Sequence, residues 1–271
     1  MAKRAVKDEK IRVPDDLRDF LLEKAEAYER PDFIPDDPIA VPHRFTNKAD
    51  IELAGFIAAT LAWGQRKTIL ASASSFIDRL DGAPSDFLKH ATEGDIRTAA
   101  KGFVHRTFQP RDAEVFLHAL QVLITAFGEL EQAFIPDGDA ASANACLTTF
   151  HNRFFEAAGQ RGYEAGRTRK HVATPVRGSA AKRLNMYLRW MVRPSRRGVD
   201  FGVWSQIKTS QLMVPLDVHT GNVGRKLGLL TRKQNDWQAV EMLTAALREV
   251  DPVDPVRLDF ALFGLGAIEQ F

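Results

Sequence analysis

The sequence predicts an all-α protein, and three observations support that prediction. Apolar residues recur at spacings of three and four in several long segments, which places them on one face of a helix. Strictly alternating runs of β-branched residues, typical of strands, are missing. Asn-Gly or Asp-Gly turns that join two apolar runs are missing as well. We therefore expect the 271 residues to form one large helical domain or one two-lobed unit.

Each predicted helix depends on its apolar spacing and, in several cases, on a residue that caps its start. Leu53 and Phe56 belong to the apolar stripe of the first helix. Ser142 and Asp236 are placed as N-caps, whose side-chain oxygens accept backbone N–H groups. Pro255 suits the first position of the last helix, where its missing N–H costs little. The predicted helices are 47–64, 112–128, 142–158, 182–192, 236–250, a short one within 220–228 and a final helix that opens at Asp254-Pro255.

Four segments are predicted loops. The loop 159–178 is rich in Gly and Arg, and the loop 194–210 opens with Pro-Ser-Arg-Arg-Gly. Either of these two could lie against phosphates or form ordinary mobile surface. The predicted loops are 31–42, 134–141, 159–178 and 194–210.

The composition excludes several classes of protein. Cys146 is the single cysteine, which excludes an internal disulfide framework and a zinc site or iron–sulfur cluster built from four cysteines. No apolar run approaches the ~20 residues that span a bilayer. The N-terminal segment MAKRAVKDEKIRV lacks the apolar stretch of a secretory signal. We expect a soluble cytoplasmic protein, associated with the nucleoid if bacterial, with no cofactor and no metal.

The charges are divided unevenly along the chain. Residues 151–235 hold 17 Lys and Arg against 4 Asp and Glu, a net charge of +13. The rest of the chain holds 20 Lys and Arg against 31 Asp and Glu, a net charge of −11, and the overall charge of +2 hides this division. A concentrated basic face focuses a positive potential on phosphates, so the basic segment favours a polyanionic partner. Ordinary solvated surface charge is the alternative.

Lys182 is the first candidate catalytic residue. It follows the small-residue stretch R-G-S-A-A at the start of a predicted helix, where backbone N–H groups and the helix N-terminus favour an anion. Cations nearby, including Arg177 and Arg183, would favour an uncharged, nucleophilic amine. On position alone, a solvated surface lysine is the alternative.

Asp217 is the second candidate. It follows the apolar group L-M-V-P-L, which indicates a carboxylate at the edge of the core rather than in open solvent. The alternative is a helix N-cap without a chemical role. His219 is interpreted as a local hydrogen-bonding residue, because no second His, Cys or carboxylate stands at metal-ligand spacing.

The segment 216–228, L-D-V-H-T-G-N-V-G-R-K-L-G, resembles the D-x-H-x-x-x-V-x-R-x-L-G segment of the helix-hairpin-helix DNA glycosylase superfamily. That superfamily includes endonuclease III, MutY and the 8-oxoguanine glycosylases. The stretch Lys182-x-x-Asn185-x-x-Leu188 is similar to the second helix of its hairpin, which carries a lysine in bifunctional members. Segment 50–66 is similar to the family's early helix, whose terminal Gln lies near the DNA, and segment 258–266 resembles its late helix.

The resemblance implies a two-lobed helical fold with the active-site cleft between the lobes. Residues 1–49 would pack with the C-terminal lobe, residues 50–195 would form a helical-barrel lobe with a divergent hairpin, and residues 196–271 would form the C-terminal lobe. The implied activity is removal of a damaged base from double-stranded DNA by a monomer, combined with AP lyase activity through a lysine Schiff base. An oxidised purine is the favoured substrate.

The resemblance also implies roles for individual residues. Lys182 would attack C1′ of the sugar, while Asp217 would deprotonate the lysine or stabilise the cationic sugar. Trp63 and Trp190 are candidates for stacking on a flipped base, although an aromatic at helical spacing is more often part of the core. The residues expected to contact DNA are Gln65, Arg66, Arg177, Gly178, Ser179, Arg183, His219 and Arg225.

The chain departs from the family pattern in three ways. The hairpin sequence L-P-G-V-G is replaced by T-P-V-R-G at 174–178, and the cysteine cluster of endonuclease III and MutY is missing. Lys182 and Asp217 are 35 positions apart, roughly twice the separation in endonuclease III. The archaeal 8-oxoguanine glycosylase branch has a longer gap and a divergent hairpin, so it is the closer likeness. The chain also looks like an uncharacterised bacterial family associated with the superfamily.

Three alternatives remain open at the level of sequence. One is a non-catalytic helical DNA-binding protein that never uses Lys182. Another is a monofunctional glycosylase, in which Asp217 activates water and the lysine has only an electrostatic role. The third is a helical scaffold whose basic face binds an acidic protein.

Overall fold

The computed structural model describes residues 12–138, 142–164 and 166–271. Within those ranges the chain forms α-helices joined by turns and short 3₁₀ helices, with isolated bridges but no strand. The all-α prediction is confirmed. The helices are α1 (Asp15–Tyr28), α2 (Lys48–Leu61), α3 (Arg66–Asp78), α4 (Pro84–His90), α5 (Glu93–Ala100), α6 (Pro110–Phe127), α7 (Leu130–Phe134), α8 (Ala143–Gln160), α9 (Lys182–Val192), α10 (Val218–Lys226), α11 (Trp237–Val250) and α12 (Asp259–Ala267).

The helices predicted from apolar spacing are confirmed as α2, α6, α8, α9, α10 and α11. Two of the predicted caps are in place. The side chain of Ser142 accepts a hydrogen bond from the backbone N–H of Ala145 at 3.2 Å, and that of Asp236 accepts one from Ala239 at 3.1 Å. The last predicted helix begins instead as the 3₁₀ turn Pro255–Leu258, and α12 follows it.

Helices α1, α3, α4, α5 and α7 are missing from the sequence prediction. The shortest of them, α4, α5 and α7, span only 7, 8 and 5 residues. Such lengths contain too few repeats of the apolar spacing for periodicity to stand out. Helices α1 and α3 carry mixed faces with few buried positions, which weakens the same signal.

The predicted loops are only partly irregular. The 3₁₀ helices Pro31–Asp36 and Pro38–Ala40 fill most of the first, because repeated prolines pre-set the backbone for tight turns. Gly166–His171 and Pro175–Arg177 are 3₁₀ helices within the third, and Thr209–Gln211 is another at the end of the fourth. The parts of these predictions that fall on residues 1–11, 139–141 and 165 lie outside the described residues.

Helix α12 is a central packing element. It packs on α1 and on α10, while α2 packs on α9 and α6 packs on α8. Two glycines permit the close contacts of α12. A Cβ on Gly264 would lie 2.2 Å from a ring carbon of Tyr28 in α1, and one on Gly266 would lie 3.1 Å from the Cβ of His219 in α10. Among the described residues, no helix is long and apolar enough to cross a membrane.

A buried ionic network fixes the C-terminal half of α9. The guanidinium of Arg193 donates to Glu29 at 2.8 Å, to Asp254 at 2.9 Å and also to Asp200. One turn earlier, Arg189 donates to Asp259 at 2.8 Å, and its Nε lies 3.4 Å from Asp200. These carboxylates come from segments far apart in sequence, so the network joins α9 to the ends of the chain.

Candidate active site

Lys182 is the first residue of α9, and its entry turn is unusual. The preceding residue, Ala181, has φ 45°, a left-handed conformation that favours glycine and costs about 1 kcal/mol or more for alanine. The side-chain amide of Asn185 donates to the carbonyl of Ala180 at 3.0 Å and holds this turn. The turn thereby presents the Lys182 amine at the helix start, with 29 % of its side chain exposed.

Asp217 divides its two carboxylate oxygens between two tasks. It is the N-cap of α10, and its Oδ1 accepts the backbone N–H of Thr220 at 3.0 Å. Its Oδ2 lies 3.9 Å from Nζ of Lys182. The capping interpretation is therefore correct for one oxygen, while the other faces the amine. With 25 % of its side chain exposed, Asp217 remains accessible from solvent.

After α9 ends, the chain that leads from Lys182 to Asp217 folds back along this helix. The backbone N–H of Phe201 donates to the carbonyl of Trp190 at 2.8 Å, and that of Trp204 donates to Met191 at 2.9 Å. The indole of Trp204 then donates to the buried carboxylate of Glu52 at 2.6 Å. Because these bonds hold the segment against α9, Lys182 and Asp217 can lie 3.9 Å apart although 35 positions separate them in the sequence.

Two more carboxyl groups act on the pair. Asp259 is buried, and its Oδ1 is 3.4 Å from the hydroxyl of Thr220. The pKa of Asp259 is raised to about 6, mainly by burial and also by the charge of Asp217, while the cations of Arg189 and Lys182 oppose this rise. Burial also raises the pKa of Asp37, which Arg189 and Lys182 oppose as well. The Lys182 cation therefore influences the carboxyls of Asp37 and Asp259, while its contact at 3.9 Å is with Asp217.

Gln65, Arg66 and His219 lie on exposed surface. The guanidinium of Arg66 lies over the ring of Phe263 at 5.1 Å from its centroid, and the His219 ring is 6.4 Å from the same ring. Phe263 of α12 thus contacts two residues that are predicted to bind DNA, Arg66 of α3 and His219 of α10. Gln65 precedes α3 as its N-cap residue, although its side chain makes no capping hydrogen bond.

The segment 174–179 forms a compact turn before α9. Arg177 ends a 3₁₀ turn and is exposed, and Gly178 follows with φ 76°. The carbonyl of Gly178 accepts the N–H of Trp237 at 3.1 Å, and Ser179 forms an isolated bridge with Asp236. Two of the predicted phosphate contacts, Gly178 and Ser179, therefore lie against the N-terminus of α11, while Arg177 is exposed.

Two predicted DNA contacts are engaged within the protein. Arg183 donates to the carbonyl of Lys170 at 3.1 Å and to that of Thr60, and burial lowers its pKa to about 10. Arg225 donates to backbone carbonyls of the following loop at 2.8 and 2.9 Å and also to Asn235. Both guanidinium groups hold loops in place.

The structure corrects the prediction for Trp190, which is fully buried and has no face for a base. The physical reason is that Trp190 lies in the last turn of α9 with its side chain in the core. Trp63 is half-buried, with the guanidiniums of Arg106 and Arg183 over its ring at 5.4 and 5.6 Å. Arg106 has φ 55°, a strained conformation for arginine that no sequence signal indicated.

Sequence reasoning also missed residues that orient the pair. The side-chain amide of Asn235 donates to the backbone carbonyl of Asp217 at 3.0 Å, while Arg225 donates to the Asn235 oxygen. Gly221 lies beneath them, and a Cβ there would lie 2.8 Å from the side-chain oxygen of Asn235, so a larger residue would displace that side chain. The pattern R-x₉-N following D-x-x-x-G was visible in the sequence, but nothing local indicated that its members meet.

The fold and the site define, over the described residues, an all-helical protein with a partly exposed lysine–aspartate pair at the starts of α9 and α10. Residues 37–268 match the model of the family described as "Protein of unknown function (DUF2400)". That match covers most of the chain, and the protein belongs to this family. No curated protein and no solved structure matches it.

Proposed function

We propose that the protein is a DNA glycosylase with AP lyase activity, which uses Lys182 as nucleophile and Asp217 as its partner. The observation that carries the proposal is the distance of 3.9 Å between Nζ of Lys182 and Oδ2 of Asp217. Both side chains are partly exposed, so a substrate can reach them. The pair follows the same order, lysine in a helix and aspartate at the next helix start, as in the superfamily that the sequence resembles.

In the proposed reaction, one oxygen of Asp217 accepts a proton from the Lys182 ammonium and leaves a nucleophilic amine. The nitrogen attacks C1′ of the sugar, the glycosidic bond breaks, and the base departs with the bonding electrons and takes up a proton. Opening of the sugar ring gives a Schiff base. Removal of a C2′ proton then expels the 3′ phosphate and nicks the strand. The Asp217 carboxylate also stabilises the positive charge that develops on the sugar.

The DNA surface proposed here follows the exposed cations around the pair. Arg66, Arg177, Gly178 and His219 are exposed, and we assign them to hold phosphates of the duplex. Arg183 and Arg225 contribute by holding the loops, since their donors are engaged with carbonyls. Trp63 remains a candidate for contact with a base.

The proposal extends to the fold. The packing of α12 on α1 and on α10, apart from that of α2 on α9, supports a two-lobed arrangement of the helix-hairpin-helix glycosylase type. The turn at Gly178 takes the place of the usual hairpin. An oxidised purine is the favoured lesion through likeness to the archaeal branch, and double-stranded DNA is the proposed partner.

The test is covalent trapping with borohydride on duplex oligonucleotides. Each duplex carries one lesion, such as 8-oxoguanine, uracil, hypoxanthine or an abasic site. We expect a protein–DNA adduct with at least one of them. Lys182→Gln should abolish the adduct and keep most of the DNA affinity. Asp217→Asn keeps an oxygen for the Thr220 cap but loses the charge, so adduct formation should slow about 100-fold or more.

Lys233→Gln is the matched control, because this lysine is exposed on a loop outside the pair. Loss of trapping with Lys233→Gln, or full trapping with Lys182→Gln, would contradict the assignment of Lys182 as the nucleophile. Base release without any adduct would favour a monofunctional glycosylase. Salt-dependent DNA binding without turnover would favour a non-catalytic DNA-binding protein. If the protein does not bind DNA at low salt, the result would favour a helical scaffold whose basic face binds an acidic protein.

A further inference from the structure

Asp259 lies directly behind the Lys182–Asp217 pair and has no part in the reaction proposed above. It is the first residue of α12 and is buried. Thr220 connects it to Asp217, because its backbone N–H donates to Asp217 at 3.0 Å while its hydroxyl lies 3.4 Å from Asp259. One residue therefore joins the two carboxyls.

The other oxygen of Asp259 anchors this link to α9. It accepts from Nη1 of Arg189 at 2.8 Å, and the Nε of the same guanidinium faces Asp200 at 3.4 Å. Arg189 therefore connects the helix that carries Lys182 to the carboxyl that orients the start of α10. A shift of Asp259 would be transmitted to both members of the pair, since one oxygen contacts each helix.

We propose that Asp259 is a positioning residue that fixes Asp217 opposite Lys182 through Thr220 and whose charge sets the pH range in which the pair operates. This inference rests on the proposed function. When Asp259 is ionised, it accepts from both Thr220 and Arg189 and adds negative potential to a site where a cationic sugar forms. When it is protonated, both effects weaken.

The charged groups that face Asp259 define the expected pH dependence. Arg189 and Lys182 approach from α9, Asp217 approaches from the start of α10, and Asp200 acts through Arg189. Because the pKa of Asp259 is raised to about 6, this carboxyl titrates close to neutral pH. The rate of adduct formation should therefore rise through pH 6 toward neutrality.

The first arm of the test measures single-turnover adduct formation on an abasic-site duplex between pH 5 and 8. The wild type should show an inflection near pH 6. Thr220→Val should lower the rate about tenfold, and Thr220→Ser should recover most of it. Asp259→Asn should lower the rate and remove the inflection. Equal rates for Thr220→Val and the wild type, or an inflection that survives in Asp259→Asn, would overturn the proposal.

The second arm does not depend on DNA. Carboxyl ¹³C resonances of aspartate-labelled protein are followed by NMR against pH, and Asp259→Asn identifies the Asp259 signal. Its midpoint should lie near pH 6 and should fall in Asp217→Asn, because the charge of Asp217 raises the pKa of Asp259. A midpoint that does not move would overturn the coupling. Absence of any adduct with the wild type, combined with this shift, would defeat the proposed reaction but not the coupling.

Discussion

The two ends of α9 use positive charge in opposite ways. At its C-terminal end, Arg193 is 3 % exposed and contacts three carboxylates, which raise its pKa despite burial. At its N-terminal end, Lys182 is 29 % exposed and faces one carboxylate at 3.9 Å. The comparison teaches that a buried cation paired with several carboxylates holds distant segments of the fold together. A partly exposed cation with one carboxylate at 3.9 Å remains accessible to a substrate.

The largest expected effect tests the buried end. Arg193→Met would leave the buried carboxylates of Glu29 and Asp200, and the partly buried one of Asp254, without their main partner. Breaking such a network costs about 3–5 kcal/mol. We expect that loss in the free energy of unfolding, measured by urea denaturation. Arg196→Met, at an exposed position nearby, is the control and should change stability by less than about 0.5 kcal/mol. Equal losses of stability in Arg193→Met and Arg196→Met would contradict the proposed difference between buried and exposed cations.

The second prediction tests the contact between α1 and α12. Tyr28 makes this contact at the end of α1, directly before Glu29. Gly264→Ala would place a methyl group 2.2 Å from the Tyr28 ring, and the helices must separate. Overpacking of this kind costs about 1–3 kcal/mol. Gly159→Ala, in α8, has no atom within 4 Å of its added Cβ and should be neutral or slightly stabilising. Thermal unfolding of both variants would show whether α12 depends on its glycine.

The third prediction concerns Asp259, between the two ends. Its pKa of about 6 in the folded protein lies above the ordinary aspartate value of 3.8, so the folded state binds the proton more tightly. This group therefore adds stability as pH falls from about 6 toward 4, and the contribution is absent at neutral pH. We expect a gain of about 2 kcal/mol over that range, relative to Asp259→Asn. Urea midpoints of both proteins at several pH values measure it, and parallel curves would contradict it.

The smallest expected effect tests the accessible end. Lys182→Met removes a partly exposed ion pair at 3.9 Å, and such pairs contribute about 0–1 kcal/mol. We expect a change within about 0.5 kcal/mol in the free energy of unfolding. A loss comparable to that of Arg193→Met would show that Lys182 is structural, and the comparison between the ends of α9 would fail.

Part of the site was predictable because its signals are local. A cap such as Asp217 depends on residues two or three positions away, and the N-terminal place of Lys182 depends on the apolar spacing of one helix. Trp190 was misjudged because the same spacing cannot tell a face toward the core from one toward a cleft. Asp259 and Asn235 were missed because their contacts with the pair join segments distant in sequence.

The sequence by itself determined the helical class, most of the longer helices with their caps, and the concentration of cations in residues 151–235. Only the tertiary structure decided which cations stay accessible. Acidic residues from outside that segment, including Glu29 and Asp254, pair with Arg193, and Asp259 pairs with Arg189. The physical reason is that charge composition is a property of the chain, whereas pairing and burial depend on which segments the fold brings together.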